Sequence, residues 1–224
     1  MNRSSGNMYP WVDFTWNPVG GSCPHNCVYC YIKSSFFKNL GKYQGRVRLC
    51  SDEFKPLGKG KTIFVCSAID LFANDVPDRI IMAVLNFCKK YDNTYLFQSK
   101  NPRRFLRFKK LFPRKVILGT TVETNRAYKL SNAPPPVERV VSLSLLSTLG
   151  FRTMVSIEPI VNFDPPIMVA WIKSIKPEFV SIGADSKGFN LPEPKKDKVE
   201  DLINELSKFT EVKVKNNLKR IMGR

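Results

Sequence analysis

Seven short β-branched or apolar runs alternate with helical segments along this chain, and that alternation limits its possible folds more than any other feature. The runs are Val12 to Trp16, Thr62 to Ser67, Thr94 to Gln98, Val116 to Val122, Thr153 to Ile157, Phe179 to Ile182 and Val212 to Lys215. Strands separated by helices pair in parallel, with the helices covering the sheet. Helix starts agree with this register. Asn101-Pro102 and Asp164-Pro165 each put a capping side chain before a proline, and Pro77 opens the amphipathic run Ile80, Ile81, Val84, Leu85, Cys88. The expected fold class is α/β, a partial (β/α) barrel of six to seven parallel strands. At 224 residues, with no repeat or Gly/Ser linker, one domain is expected: a barrel over residues 14–216, an N-terminal extension over 1–13 and a basic tail over 217–224.

In such barrels the functional groups gather at the C-terminal ends of the strands. Those ends carry, in order, the Cys23 to Cys30 segment, Ser67 to Asp70, Gln98-Ser99-Lys100, Thr121 to Asn125, Ser156 to Pro159, Gly183 to Ser186 and Lys213 to Asn216. Asp70, Glu123 and Glu158 could each cap the following helix. Capping accounts for any one of them more readily than for all three.

Cys23-Pro24-His25-Asn26-Cys27-Val28-Tyr29-Cys30 is a C-x3-C-x2-C triplet. Three thiolates this close in sequence can hold three corners of a [4Fe-4S] cubane, leaving the fourth iron open to another ligand. Structural zinc sites usually take four ligands from two separated pairs, and His25 sits inside the first loop, where it has trouble reaching the same metal. A disulfide framework fits less well still, since three of six cysteines are bunched and no secretory segment is seen. Among the other cysteines, Cys66 falls in a strand and Cys88 on an apolar helical face, as small hydrophobes do.

The chain has 36 Lys and Arg against 19 Asp and Glu, a formal net charge of +17. Such a surplus favours phosphate-rich partners through counterion release, and DNA, RNA or a nucleotide is the natural candidate. Basic residues gather in Arg103 to Lys110, at Arg114-Lys115, and near Lys213, Lys215 and Arg220. A solvated helix face explains such runs as well as a binding surface does. Phe105 and Phe108 read as core anchors of that helix. The longest apolar stretch, Ile80 to Cys88, is far too short to span a bilayer, so no membrane partner and a cytoplasmic location are expected.

The triplet with Tyr29 before its last cysteine resembles the signature of the radical S-adenosylmethionine (SAM) superfamily. Phe14 to Pro18, Ser67 to Phe72 with Asp75-Val76-Pro77, Lys100-Asn101-Pro102, Gly119 to Glu123 and Ser156 to Ile160 are similar to stretches of small, uncharacterised radical SAM proteins often encoded by bacteriophages. The three-residue gap between the first two cysteines resembles the spore photoproduct lyase branch instead. The resemblance implies a [4Fe-4S] cluster on Cys23, Cys27 and Cys30, reductive cleavage of SAM to a 5′-deoxyadenosyl radical, a one-electron donor such as flavodoxin or ferredoxin, and a monomer. It implies that Ser67 to Asp70 meets the SAM amino group and Lys100 its carboxylate, and that Glu123 meets the ribose. The adenine would lie on backbone around Ile157 and Gly183, with Tyr29 packed nearby. Glu158 and Lys215 are candidates for substrate contact or proton transfer, a salt bridge between them being the plainer reading. Cys50 is a candidate hydrogen-atom donor. The substrate class expected is a nucleic-acid base or nucleotide, modified or repaired. The alternatives are a cluster-bearing or zinc-stabilised nucleic-acid binder without turnover, and a radical SAM enzyme acting on a small metabolite.

Overall fold

The computed structural model describes residues 1–33, 37 and 39–223. One eight-stranded sheet runs in the order β1 (Asn2–Arg3), β2 (Phe14–Trp16), β5 (Thr62–Val65), β6 (Thr94–Gln98), β7 (Val116–Thr121), β8 (Arg152–Ile157), β9 (Phe179–Ile182) and β10 (Glu211–Val214). The seven strands from β2 to β10 are parallel and neighbours in sequence order, and β1 adds an antiparallel edge to β2. β1 and β10 do not pair, so the sheet is a partial barrel. A separate two-stranded ladder joins β3 (Val19–Gly20) to β4 (Arg48–Leu49), its strands flanking the cysteine segment in sequence.

The crossover helices are α1 (Asp78–Cys88), α2 (Arg103–Arg107), α3 (Pro136–Thr148), α4 (Pro165–Ile175) and α5 (Lys196–Ser207), followed by the short α6 (Lys219–Met222). Each lays an apolar stripe on the outer face of the sheet. In α1 the stripe is Ile80, Ile81, Val84, Leu85 and Cys88, all buried, and each large aliphatic among them is worth about 1.5–3 kcal/mol of burial. Phe105 and Phe108 enter the same core. The helix starts are less regular than the sequence implies. Asp164 precedes α4 without capping it, because its carboxylate goes to Arg126, and Asn101 bonds to Phe72 O and Asn74.

A smaller apolar cluster fills the concave face: Phe64, Leu96, Ile117, Met154 and Phe179 from the strands, with Tyr9 and Val12 from the N-terminal segment. Trp11 stacks on Tyr9, with centroids 5.2 Å apart, and meets Phe179 edge-on at 4.8 Å. Tyr9 and Val12, with the partly buried Met8 and Trp11, are therefore built into the barrel interior, while β1 lies exposed on the sheet edge. Residues 217–223 differ from the expected basic tail in the same way, since Leu218 and Met222 are buried in the main core. Among the described residues no helix is long and apolar enough to cross a membrane.

Candidate active site

A cavity of about 570 Å3 lies at the C-terminal ends of the parallel strands. Cys23, Cys27 and Cys30 line it from the loop after β3, and all six cysteines carry free thiols. Gly21 starts that loop at φ +106°, with the Arg46 carbonyl 2.5 Å from where a Cβ would stand, so only glycine fits the turn. The loop is pinned at Val28 N–H to Leu130 O (2.9 Å), at Asn132 N–H to His25 O (2.7 Å) and at Lys33 Nζ to Cys27 O (2.8 Å).

Burial and then the Asp70 charge push the Cys23 thiol up to about 11; burial also raises Cys27, against the opposing pull of Lys100. A metal taking these thiols would have to displace their protons. Among the described residues no three His, Cys, Asp or Glu side chains converge on one ion position. A [4Fe-4S] cubane takes its thiolates at separate corners, one to an iron. Three free thiols on one cavity wall fit the cluster.

Asp70 ties this loop to the barrel. It accepts from Lys100 N–H (2.7 Å) and Phe72 N–H (2.9 Å), and His25 Nε2 stands 2.8 Å from its Oδ2, although the ring N–H points off that line. Burial raises the Asp70 pKa, but His25 and Lys100 N–H outweigh it and hold the carboxyl below its ordinary value. His25 is thus a brace between loops, and the Asp70 oxygens expected to face SAM are largely taken. Ser67 lines the cavity beside them, sharing its hydroxyl with Asn17 at 3.3 Å.

Glu123 is 1 % exposed and lies behind the cavity wall. Arg139 holds it at 2.9 and 3.2 Å, the Tyr29 hydroxyl donates to its Oε1, and Lys100 Nζ is 3.9 Å away. Burial pushes its pKa up, yet Arg139 and Lys100 prevail and keep it below the carboxylate range. Lys100 lines the cavity with its ammonium 5.2 Å from the Tyr29 ring centroid; burial would lower its pKa, but Cys27 and Glu123 raise it. Arg139, from α3, had no motif to mark it.

At the opposite wall Lys215 Nζ meets Glu158 Oε2 at 2.7 Å, so the salt bridge forms. Asn7 Nδ2 and Asn217 Nδ2 donate to Glu158 Oε1 at 2.8 and 2.9 Å, and Lys215 also donates to Asn7 O. Tyr9 donates toward Gln98 Oε1 and Ser156 Oγ at 2.8 and 2.9 Å. None of Asp70, Glu123 and Glu158 caps a helix.

Several expected residues are placed elsewhere. Ile157 and Gly183 do not line the cavity: Gly183 N–H bonds to Ile157 O and Gly183 O accepts from Ile160 N–H, so those peptide groups are not open to an adenine. A Cβ on Gly183 would stand 2.7 Å from Glu158 Oε1, so this glycine instead makes room for the Glu158 carboxylate. Cys50 is also outside the cavity, its Sγ packed by Gly20 on the β3–β4 ladder. Cys66, expected inside a strand, leaves β5 at φ +57° and lines the cavity; burial drives its pKa up. Arg104 bonds to the Ala73, Asn74 and Val76 carbonyls and to Asp78, and so serves the fold where a nucleic-acid contact was expected.

The fold is shared with enzymes of known structure. A cysteine-to-serine mutant of spore photoproduct lyase superposes with TM-score 0.66 at 10 % identity, covering 93 % of this chain and 78 % of that one. A double mutant of the same lyase, with bound AdoMet and dinucleoside spore photoproduct, gives 0.59 at 11 % identity, covering 91 % and 64 %. Streptococcus suis SuiB bound to S-adenosylmethionine gives 0.57 at 10 % identity, covering 90 % of this chain and 49 % of SuiB, so the chain spans about half of that protein. No curated protein matches the chain. A family model matches residues 7–162, and the chain belongs to that family, the proteins of unknown function termed DUF5131.

Proposed function

We propose that this protein is a radical SAM enzyme acting on a base or nucleotide of a nucleic acid. The observation that carries the reading is the cavity itself: three free cysteine thiols and the Lys100 ammonium share one wall at the C-terminal rim of a parallel partial barrel. The barrels it resembles include two solved with SAM bound. Cys23, Cys27 and Cys30 would hold a [4Fe-4S] cluster. When bound, the cluster supplies the electron that cleaves SAM and so yields the radical that takes hydrogen from substrate.

The chain's own residues position and shield. Lys100 offers a compact cation to a carboxylate at this wall, and Ser67 a hydroxyl. Glu123 holds Lys100 and Tyr29 in place; a ribose hydroxyl would meet it only where the Tyr29 hydroxyl gives way. Across the cavity Glu158 and Lys215 face the substrate side and can hold or move a proton there. The net charge of +17 supports a phosphate-rich substrate.

Anaerobic reconstitution should give about four irons per chain and a brown protein. With dithionite, SAM should yield 5′-deoxyadenosine and methionine. Replacing all three cysteines with alanine should abolish both. A colourless zinc protein would overturn the cluster, and a cluster without SAM cleavage would leave a binding protein.

A further inference from the structure

A second cavity, about 320 Å3, opens at the β9–β10 edge of the barrel, lined by Pro10, Trp11, Ser181, Lys213, Val214 and Lys215. Two of its donors lack any partner. Ser181 is 1 % exposed and its Oγ bonds to nothing; Trp11 Nε1 is likewise buried and unpaired. Leaving such groups unmatched costs about 1–3 kcal/mol each, and buried polar atoms are otherwise nearly always satisfied. An indole N–H can only donate, and a serine hydroxyl can. No carboxylate lines the space, whereas two lysines do. Lys213 Nζ is held at the mouth by Glu211 (2.6 Å) and lies 4.9 Å from the Phe179 ring; it can reach an incoming anion by changing rotamer. An occupant able to accept from several donors and carrying negative charge completes this set.

We propose that this cavity is a subsite for a phosphate group. Lys215 lines both cavities, so the phosphate would sit one residue away from the Glu158–Lys215 pair and the main cavity. A nucleotide could then place its base toward the cysteines while its phosphate rests on Ser181 and Trp11. The identity of the phosphate's carrier rests on the function proposed above; the subsite itself does not.

The chain has three tryptophans, Trp11, Trp16 and Trp171, so a [15N]tryptophan-labelled sample gives three indole N–H signals, with that of Trp11 assigned by its loss in Trp11→Phe. Titration with inorganic phosphate at constant ionic strength should move the Trp11 signal saturably and leave the other two in place. Ser181→Ala should weaken phosphate binding about tenfold, the loss of one hydrogen bond to a charged group, and Lys213→Gln should weaken it by less. A Trp11 signal that stays still, or that chloride moves equally, would show that the space holds only water and would end the proposal; so would a Ser181→Ala titration matching wild type. In a second arm, a nucleoside monophosphate and a single-stranded dinucleotide should move the same signal at lower concentration than phosphate, and the bare nucleoside should not. If phosphate moves the signal and the dinucleotide does not, the subsite stands and the nucleic-acid reading fails.

Discussion

The two walls of the main cavity are built in opposite ways. On the cysteine side the buried carboxylates are matched, Glu123 by Arg139, Lys100 and Tyr29 and Asp70 by the Lys100 and Phe72 amides, although His25 Nε2, 2.8 Å from Asp70, has no aligned acceptor. On the β8–β10 side one ion pair, Glu158 with Lys215, leans on the N-terminal segment, and the neighbouring Ser181 and Trp11 donors are unpaired. The difference teaches a division of labour. A wall whose carboxylates are already matched is preorganised and holds a fixed geometry; a wall with two unsatisfied hydroxyl and indole donors still has bonds to give to a ligand.

The comparison breaks most visibly at Arg139. Arg139→Leu leaves Glu123 buried with only Lys100 and Tyr29, and should cost about 3–5 kcal/mol in urea denaturation. Glu123→Gln combined with Arg139→Leu should recover most of that loss. A single variant as stable as wild type would mean the network is not what fixes this wall.

Next in size is the brace. Asp70→Asn should cost about 1–3 kcal/mol and lower iron loading, because the cysteine loop loses its tie through His25. Since the Asp70 pKa is depressed on folding, its stabilisation is present above pH ~4 and is lost as the pH falls below that value. The variant should therefore show a shallower loss of stability on acidification. An unchanged acid limb would remove Asp70 from the brace.

Glu158→Gln tests the opposite wall. Stability should fall by only about 1 kcal/mol, because the amide keeps hydrogen bonds to Asn7 or Asn217 and the Lys215 ammonium still donates to the Asn7 carbonyl. Substrate turnover should fall far more than SAM binding does. Equal losses in both would erase the functional distinction between the walls.

The smallest effect belongs to Tyr9→Phe, which keeps the ring on Trp11 and removes one hydroxyl. A loss of about 0.5–1.5 kcal/mol is expected by thermal or urea denaturation. A larger loss would show that Tyr9 organises Gln98 and Ser156 as a unit.

Much of this architecture could be read from the sequence, and the reason is local. Each parallel strand announces itself by a short apolar run, so Thr94–Gln98 and Phe179–Ile182 fall at their expected bounds and β7 and β8 within a residue. Cys23, Cys27, Cys30 and Lys100 were likewise marked, since strand ends face the rim. What escaped depends on contacts distant in sequence. Arg139 lies on a helix whose pattern reads only as amphipathic, and its pairing with Glu123 needs the fold. Asn7, Tyr9 and Trp11 sit in a stretch without periodicity, which looks like an extension until the concave face is seen to need filling. Cys66 escaped because a left-handed turn after β5 is invisible to β propensity. The use of Ile157 O and of the Gly183 N–H and O in strand-end bonds is equally invisible to β propensity.

The N-terminal segment that fills the barrel also bears on the order in which the molecule can assemble. Asn7 meets Lys215 across 208 residues of sequence, and Trp11 rests on Phe179. Contacts of such long range close only after the intervening loop entropy has been overcome, so they form late in folding. The helix-covered sheet can form first, with the wall around Glu158 and Lys215 among the last regions to become native. A ribosome-bound chain halted before β10 would carry the cysteine loop and Lys100 but not the opposite wall.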